Sequence, residues 1–340
     1  MSRADAKSRG VPETVGQSDQ ILNVRNLSVE FYQGSTRAFH AVVDANVSVG
    51  SGEMVGMVGE SGCGKTLSAL ALLGLTPPAA RCGGTIEYRS HAFQADSRAL
   101  KKLRGRQIGM IFQEPMTALN PVFSLDRQFR EALRYLRGIH DRRKAHTVSV
   151  ELLDRVGLER PERRLAQFPH QLSGGQRQRA MIALALAGEP DILVADEPTT
   201  ALDATLERRI MDLFRELANE GLGILMISHD LPLVAEVSDR IVVMYSGYTV
   251  ETGPAIRLTE TPQHPYTRGL LASASAIFSR ERGRLPVIPG EVPSPEHRPS
   301  GCPFHPRCPE REARCDRDFP PDFEPVSGLR TACWAREGDG

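Results

Sequence analysis

The chain is 340 residues long, enough for one large domain with an appendage or for two modest domains. Hydrophobic residues make up 40% and charged residues 25%, ordinary globular usage that excludes wholesale disorder. Its 42 Lys and Arg balance 42 Asp and Glu, and aromatics are only 6%, so neither bulk charge nor a base-stacking surface supports a nucleic-acid partner.

Residues 1–20 carry Arg3, Lys7 and Arg9 with no apolar run behind them, and read as a disordered tail rather than a signal peptide. Short β-like runs follow at 21–29, 41–49 and 54–58. Residues 66–75 read as a helix closed by Thr76-Pro77-Pro78, and the weakly polar stretch 66–80 is too short to span a bilayer. Between 120 and 167, Leu125, Phe129, Leu133 and Leu136 recur at near-helical spacing, as do Val150, Leu153 and Val156. An alternation follows: helix 174–187, strand 192–195, helix 204–218, then strands 223–227 and 240–245. Strands separated by helices imply a mostly parallel sheet covered on both faces. From about Thr259 proline density rises, and this end reads as loop-rich and held by its cysteines. The expected division is a tail (1–20), a nucleotide-binding domain (21–258, with a helical part at about 115–170) and a C-terminal extension (259–340).

Three motifs carry chemistry. Gly59-Glu60-Ser61-Gly62-Cys63-Gly64-Lys65-Thr66 fits G-x-x-x-x-G-K-[ST] between an apolar strand and a helix, the context of a phosphate-binding loop. Backbone N–H groups would wrap the phosphates at a helix N-terminus, Lys65 would reach the β- and γ-phosphates, and Thr66 would ligate Mg²⁺. Cys63 fills a variable position. In Asp191-Ile192-Leu193-Val194-Ala195-Asp196-Glu197, a buried strand delivers two acids at its C-terminal end, where α/β sheets place ligands. Asp196 would hold Mg²⁺, directly or through water, and Glu197 would act as general base on the attacking water. Leu172-Ser173-Gly174-Gly175-Gln176 opens a helix just upstream, where a hydroxyl and free N–H groups can form a second anion site.

In this order the motifs resemble the nucleotide-binding subunits of ATP-binding-cassette (ABC) transporters, over about residues 21–267. The resemblance implies an α/β P-loop NTPase core with an antiparallel β subdomain and a helical subdomain. It implies that Gln113, in Ile111-Phe112-Gln113-Glu114-Pro115, touches Mg²⁺ and senses membrane subunits. Asp203, in Ala201-Leu202-Asp203, would cross a dimer interface, and His229 would contact the γ-phosphate. Phe31 matches the aromatic that stacks on adenine, with Tyr32 as the fallback. The implied mechanism is dimeric, each ATP lying between one phosphate loop and the partner's Ser173-Gly174-Gly175-Gln176 segment.

The tail adds Gln263-His264-Pro265-Tyr266-Thr267 and Ile288-Pro289-Gly290-Glu291-Val292-Pro293, which resemble the C-terminal region of oligopeptide/dipeptide (and nickel) importer ATPases. That resemblance implies a second homologous ATPase, two membrane permeases, an extracytoplasmic solute-binding protein, and a place at the cytoplasmic face of the bacterial inner membrane. The alternative is a soluble cassette ATPase acting on nucleic acid or the ribosome; such chains commonly carry two cassettes or a coiled-coil insert. Cys302, Cys308, Cys315 and Cys333 are spaced C-x5-C-x6-C-x17-C. Structural zinc favours tighter pairs, whereas four thiolates can hold a [4Fe–4S] cluster, as some members of this family are thought to do there. Cluster, zinc and no metal stay open, with the cluster preferred and a structural role expected in a small Cys/Pro-rich lobe.

Overall fold

The computed structural model describes residues 20–33, 36–113, 118–200, 202–278 and 287–338. Of the expected tail at 1–20, residues 1–19 lie outside the described residues and Gln20 already opens the first strand; Glu114 and Pro115 beside Gln113 and Ala201 before Asp203 lie outside them too.

The runs of short apolar residues become strands β1 (Gln20–Gln33), β2 (Thr36–Gly50), β3 (Met54–Val58), β4 (Ala80–Tyr88), β5 (His91–Gln94), β6 (Ile108–Ile111), β7 (Ile192–Asp196), β8 (Gly223–Ser228), β9 (Arg240–Tyr245) and β10 (Tyr248–Pro254). Two further strands, β11 (Phe323–Val326) and β12 (Leu329–Thr331), come from the extension. Among the described residues the sheet runs β5-β4-β1-β2-β10-β9-β3-β8-β7-β6, with β12 paired to β10 and to β11. The β9-β3-β8-β7-β6 stretch is parallel, and β5-β4-β1-β2 is antiparallel. Every residue of β3, β7 and β8 is buried, as near-continuous apolar strands covered on both faces must be. Period-2 alternation divides them: Met54, Val58, Leu193 and Ala195 join one apolar cluster, and Val55, Met57, Ile192 and Val194 join the other.

The helical middle forms as its spacing indicates. Helices α1 (Lys65–Leu72), α2 (Leu125–Arg137) and α3 (Arg142–Arg155) are followed by the short α4 (Pro161–Leu165). Ser124 caps α2 by accepting the Arg127 N–H, and Asp141 caps α3 by accepting the Lys144 N–H. Leu125, Phe129, Leu133, Leu153 and Val156 are buried, and Leu136 packs partly buried against them. Downstream come α5 (Gly174–Ala185), α6 (Ala204–Asn219), α7 (Leu231–Val237), α8 (Ala255–Glu260) and α9 (Pro265–Phe278).

Two expectations need correction. Helix α1 stops at Leu72 rather than running to 75, because the N–H groups of Gly74 and Leu75 turn back to the Ala71 and Leu70 carbonyls and Gly74 takes a left-handed φ of 56°. The extension is loop-rich at 287–322, as expected, but it also carries regular structure that the proline density did not announce. Pro265 begins a 14-residue helix, since proline at a first helical position removes only an N–H that has no intrahelical partner. β12 extends the main sheet, and Tyr266 and Phe304 sit fully buried in the same apolar cluster as β3 and β7.

Candidate functional site

Strands β3, β8 and β7 are adjacent and parallel, with Val58 opposite Ser228 and Asp196 opposite Ile227. Their carboxyl ends therefore bring residues 59–66, 196–197 and 229 to one edge of the sheet, where an α/β fold binds its ligands.

Gly59 admits the close packing of this loop: a Cβ there would stand 2.2 Å from the Met244 carbonyl oxygen. Gly64 caps α1 at φ 106°, in the left-handed range that favours glycine. Lys65 is 5% exposed, and its Nζ donates to the Gly59 and Glu60 carbonyls at 2.7 and 3.1 Å, so its charge is folded over the loop. Ser61 and Gly62 complete the turn, with φ 80° at Gly62. Cys63 is fully buried, and burial pushes its thiol up, which keeps it a neutral packing group.

The Thr66 hydroxyl donates to Asp196 Oδ1 at 3.0 Å, joining the end of the loop to the end of β7. Burial pushes the Asp196 carboxyl up, against the Thr66 hydrogen bond. Next to it Glu197 sits at φ 46° with its N–H donated to the Ile227 carbonyl. Three side chains converge on its carboxylate: Gln113 Nε2 at 3.1 Å, the Thr200 hydroxyl at 2.9 Å and His229 Nδ1 at 3.3 Å. Burial raises the Glu197 pKa, but the Thr200 and His229 contacts outweigh it and hold the carboxyl below its ordinary range. The group is therefore an anion at neutral pH. The paired Thr66 hydroxyl and Asp196 carboxylate, with the Gln113 amide on the neighbouring Glu197, offer oxygen donors of the kind a hard cation such as Mg²⁺ takes.

The other expected residues lie elsewhere. Ser173 caps α5, accepting the Gln176 N–H while Gln176 Oε1 accepts the Ser173 N–H. Among the described residues these side-chain bonds stay within the helix start, so Ser173, Gly174, Gly175 and Gln176 are not brought onto the Lys65 loop of the same chain. Asp203 caps α6, accepting the N–H groups of Thr205 and Leu206. Phe31 is half-buried and stacked on Phe39 at 5.1 Å, while the Tyr32 ring lies under Arg81. Sequence reasoning missed Thr200 and Gln178. Thr200 sits three residues after Glu197 in a turn, its N–H donating to the Glu197 carbonyl, a spacing that signals the pairing only once the strand end is known. Gln178 is buried and donates to the Pro198 carbonyl, tying α5 to the acidic strand end.

Cys302, Cys308, Cys315 and Cys333 are free thiols that lie close enough to influence one another. Burial pushes Cys302 up to about 12 and Cys333 up to about 11, with neighbouring cysteines adding to the rise. Among the described residues no group of three or more His, Cys, Asp or Glu side chains is arranged to hold a metal ion. The cluster expected from the cysteine spacing, like a zinc site, thus finds no support in the arrangement of the described residues.

A family model described as "ABC transporter" matches residues 42–200, and one described as "Oligopeptide/dipeptide transporter, C-terminal region" matches residues 250–315. A "Putative peptide import ATP-binding protein" of Brucella abortus is 46% identical over 303 residues, covering 88% of this chain and 90% of that protein. Another so named, from Brucella melitensis, is 45% identical over 317 residues, covering 88% and 93%. Among solved structures, the dimeric bacterial ABC transporter cassette MJ0796 superposes at TM-score 0.60 with 29% identity, covering 69% of this chain and 98% of its own. A post-hydrolysis dimer of the same cassette, bound to ADP and Pi, matches at 0.60 with 28% identity, 69% and 98% covered. The chain belongs to the ATP-binding subunits of ABC transporters, in the branch that carries the oligopeptide/dipeptide transporter C-terminal region.

Proposed function

We propose that this ATPase drives import of peptides or related small solutes, as one half of a nucleotide-sandwich dimer under two membrane permeases. The observation that carries the reading is the Glu197 carboxylate, gathered with Gln113, Thr200 and His229 beside the Lys65 loop. Relatives named for peptide import, and the match to the transporter C-terminal region, favour this over a nucleic-acid role.

In the reaction, the N–H groups at the start of α1 and the Lys65 ammonium receive the polyphosphate, Lys65 exchanging its two carbonyl partners for phosphate oxygens. Thr66, Asp196 and Gln113 would hold Mg²⁺, which would supply positive charge against the polyphosphate. Glu197 orients water and takes its proton, and His229 holds the Glu197 carboxylate toward the γ-phosphate. Phe31 would stack on adenine. The partner's Ser173, Gly174, Gly175 and Gln176 would close over the nucleotide with Asp203 at the seam. The partner is a second, homologous ATPase, and a solute-binding protein delivers cargo outside the membrane. The pair docks at the cytoplasmic face of the inner membrane; no described helix is long and apolar enough to cross it. The division into a nucleotide-binding domain at 21–258 and an extension at 259–340 belongs to this same reading.

The test is uptake and ATP hydrolysis by the full transporter in vesicles. Glu197→Gln should keep ATP binding and lose both hydrolysis and peptide uptake. Hydrolysis persisting in Glu197→Gln would overturn its role, and an active ATPase that imports no peptide would overturn the cargo class.

For the four cysteines we propose a [4Fe–4S] cluster, on the ground of their number and spacing and of the match to the transporter C-terminal region. Anaerobically purified protein should carry about four irons and four sulfides, lost in Cys308→Ser. One zinc, or no metal, would sink this assignment and leave the ATPase reading intact.

A further inference from the structure

The extension grips the phosphate loop at Glu60, by backbone and by side chain. The Glu60 N–H donates to the Tyr266 hydroxyl at 2.8 Å. Its carboxylate receives a two-pronged ion pair from Arg307, Nη1 at 2.8 Å and Nη2 at 3.1 Å. This geometry adds direction to charge; the Arg307 side chain is only 5% exposed and the Glu60 side chain 30%, so solvent screens the pair only in part.

Both gripping residues are themselves fixed. Arg307 Nε donates to the Pro289 carbonyl at 2.8 Å, and Nη1 also reaches the Tyr245 hydroxyl. The Tyr266 ring is fully buried between Tyr245 and Phe304, with centroids at 4.6 and 5.4 Å. Its helix start is anchored in turn. The Gln263 and His264 N–H groups donate to the Glu251 carboxylate, and the Tyr266 N–H donates to His264 Nδ1.

Glu60 is an awkward residue for a loop that must receive a polyphosphate, because a free carboxylate there repels the ligand. Its carbonyl is also one of the two that hold Lys65. Whatever fixes Glu60 therefore acts on both the charge and the shape of the loop. We propose that Arg307 and Tyr266 are positioning residues for ATP: the extension neutralises Glu60 and holds the loop in its binding shape before nucleotide arrives. This rests on residues 59–66 being the ATP phosphate site.

The experiment uses the full chain, with Mg-ATP affinity from a fluorescent-nucleotide titration and KM and kcat from steady-state hydrolysis. Arg307→Met should weaken ATP binding about tenfold, a change equal to about 1.4 kcal/mol. Adding Glu60→Gln to that variant should restore most of the affinity, because the repelling charge is gone; a purely structural role gives no such rescue. Tyr266→Phe removes one oxygen and should raise KM about threefold with kcat within about twofold, as loss of a single hydrogen bond implies. Arg311→Gln, which breaks an exposed extension pair with Asp316, should change nothing. Wild-type affinity in folded Arg307→Met, or no rescue by Glu60→Gln, would overturn the proposal. If Arg307→Met fails to fold, an unchanged KM in Tyr266→Phe overturns it alone. A wild-type chain that binds no ATP would remove the phosphate-site reading as well, so the two failures are separable.

Discussion

Glu197 shows how one residue acquires surroundings that its sequence neighbours only hint at. Two acids at the end of an apolar run were legible as a ligand site. The three partners on the second acid were not, because Gln113 and His229 arrive from other segments and Thr200 meets it only through the turn that follows the strand end. The backbone φ of 46° at Glu197 is uncommon for a residue with a Cβ, and its N–H is donated across to β8. In the proposed mechanism such a group, ionised and oriented by its neighbours, receives a proton from water. Glu197→Gln keeps the shape and the Gln113 and Thr200 contacts but not the basicity. Its kcat should fall by about 10²–10⁴, the usual contribution of general acid–base catalysis. Nucleotide affinity should hold within about threefold, since the phosphate contacts come from Lys65 and the loop. A parallel loss of affinity would show that Glu197 shapes the pocket rather than the chemistry.

At the scale of elements, the start of α5 carries two roles that one substitution can separate. Ser173 is a helix cap within its own chain, while the family resemblance makes it a contact to nucleotide held by the partner. Aspartate is as good a cap as serine, so Ser173→Asp should melt within about 2 °C of wild type, whereas Ser173→Ala should cost about 1 kcal/mol. The new carboxylate would face the partner's phosphates, so Ser173→Asp should abolish ATP-dependent dimerisation, read by size-exclusion chromatography in the Glu197→Gln background. Dimerisation at wild-type ATP concentrations would contradict the sandwich. Elements with strong periodicity were the legible ones: β3, β7 and β8 as buried apolar runs, and α2 through Leu125, Phe129 and Leu133. β4 was not legible. Arg81, Gly83 and Gly84 break its alternation, and the β1–β4 register shifts between Arg25 and Ser28, opposite the left-handed Gly84. The helix from Pro265 was missed because proline density marks loops in general, and only the position of the proline marks a helix start.

For the whole molecule, sequence distance was the misleading quantity. The extension lies far along the chain from the ATP motifs, yet Arg307 reaches Glu60 across 247 positions. Nothing in local pattern encodes such a contact; it exists because β12 and α9 pack onto the same core as β3. The anchor of that packing is also a pH-sensitive point. His264 is wholly buried; burial, reinforced by the charges of Arg268 and Arg336, depresses its pKa to about 3. The unfolded chain takes up this proton below pH 6.5, but the native state does not until about pH 3. Stability from this residue is therefore complete above pH 6.5 and falls by about 1.4 kcal/mol per pH unit below it. Glu251, pushed up to about 7 mainly by burial, works the other way. Between its ordinary 4.5 and 7 the native state keeps a proton the unfolded chain has lost, so acid favours folding there. The two effects oppose each other, and their combined contribution should be nearly flat between pH 4.5 and 6.5. His264→Asn removes one of them while leaving an oxygen that can accept the Tyr266 N–H in an Asx turn. Urea unfolding at several pH values, followed by the chain's one tryptophan, Trp334 in the extension, isolates the difference. The gap between wild type and His264→Asn should shift by about 1.4 kcal/mol per unit between pH 6.5 and 4.5, with the variant gaining on wild type as pH falls. Parallel profiles would mean that His264 is protonated in the native state, and that the seam between extension and core admits water.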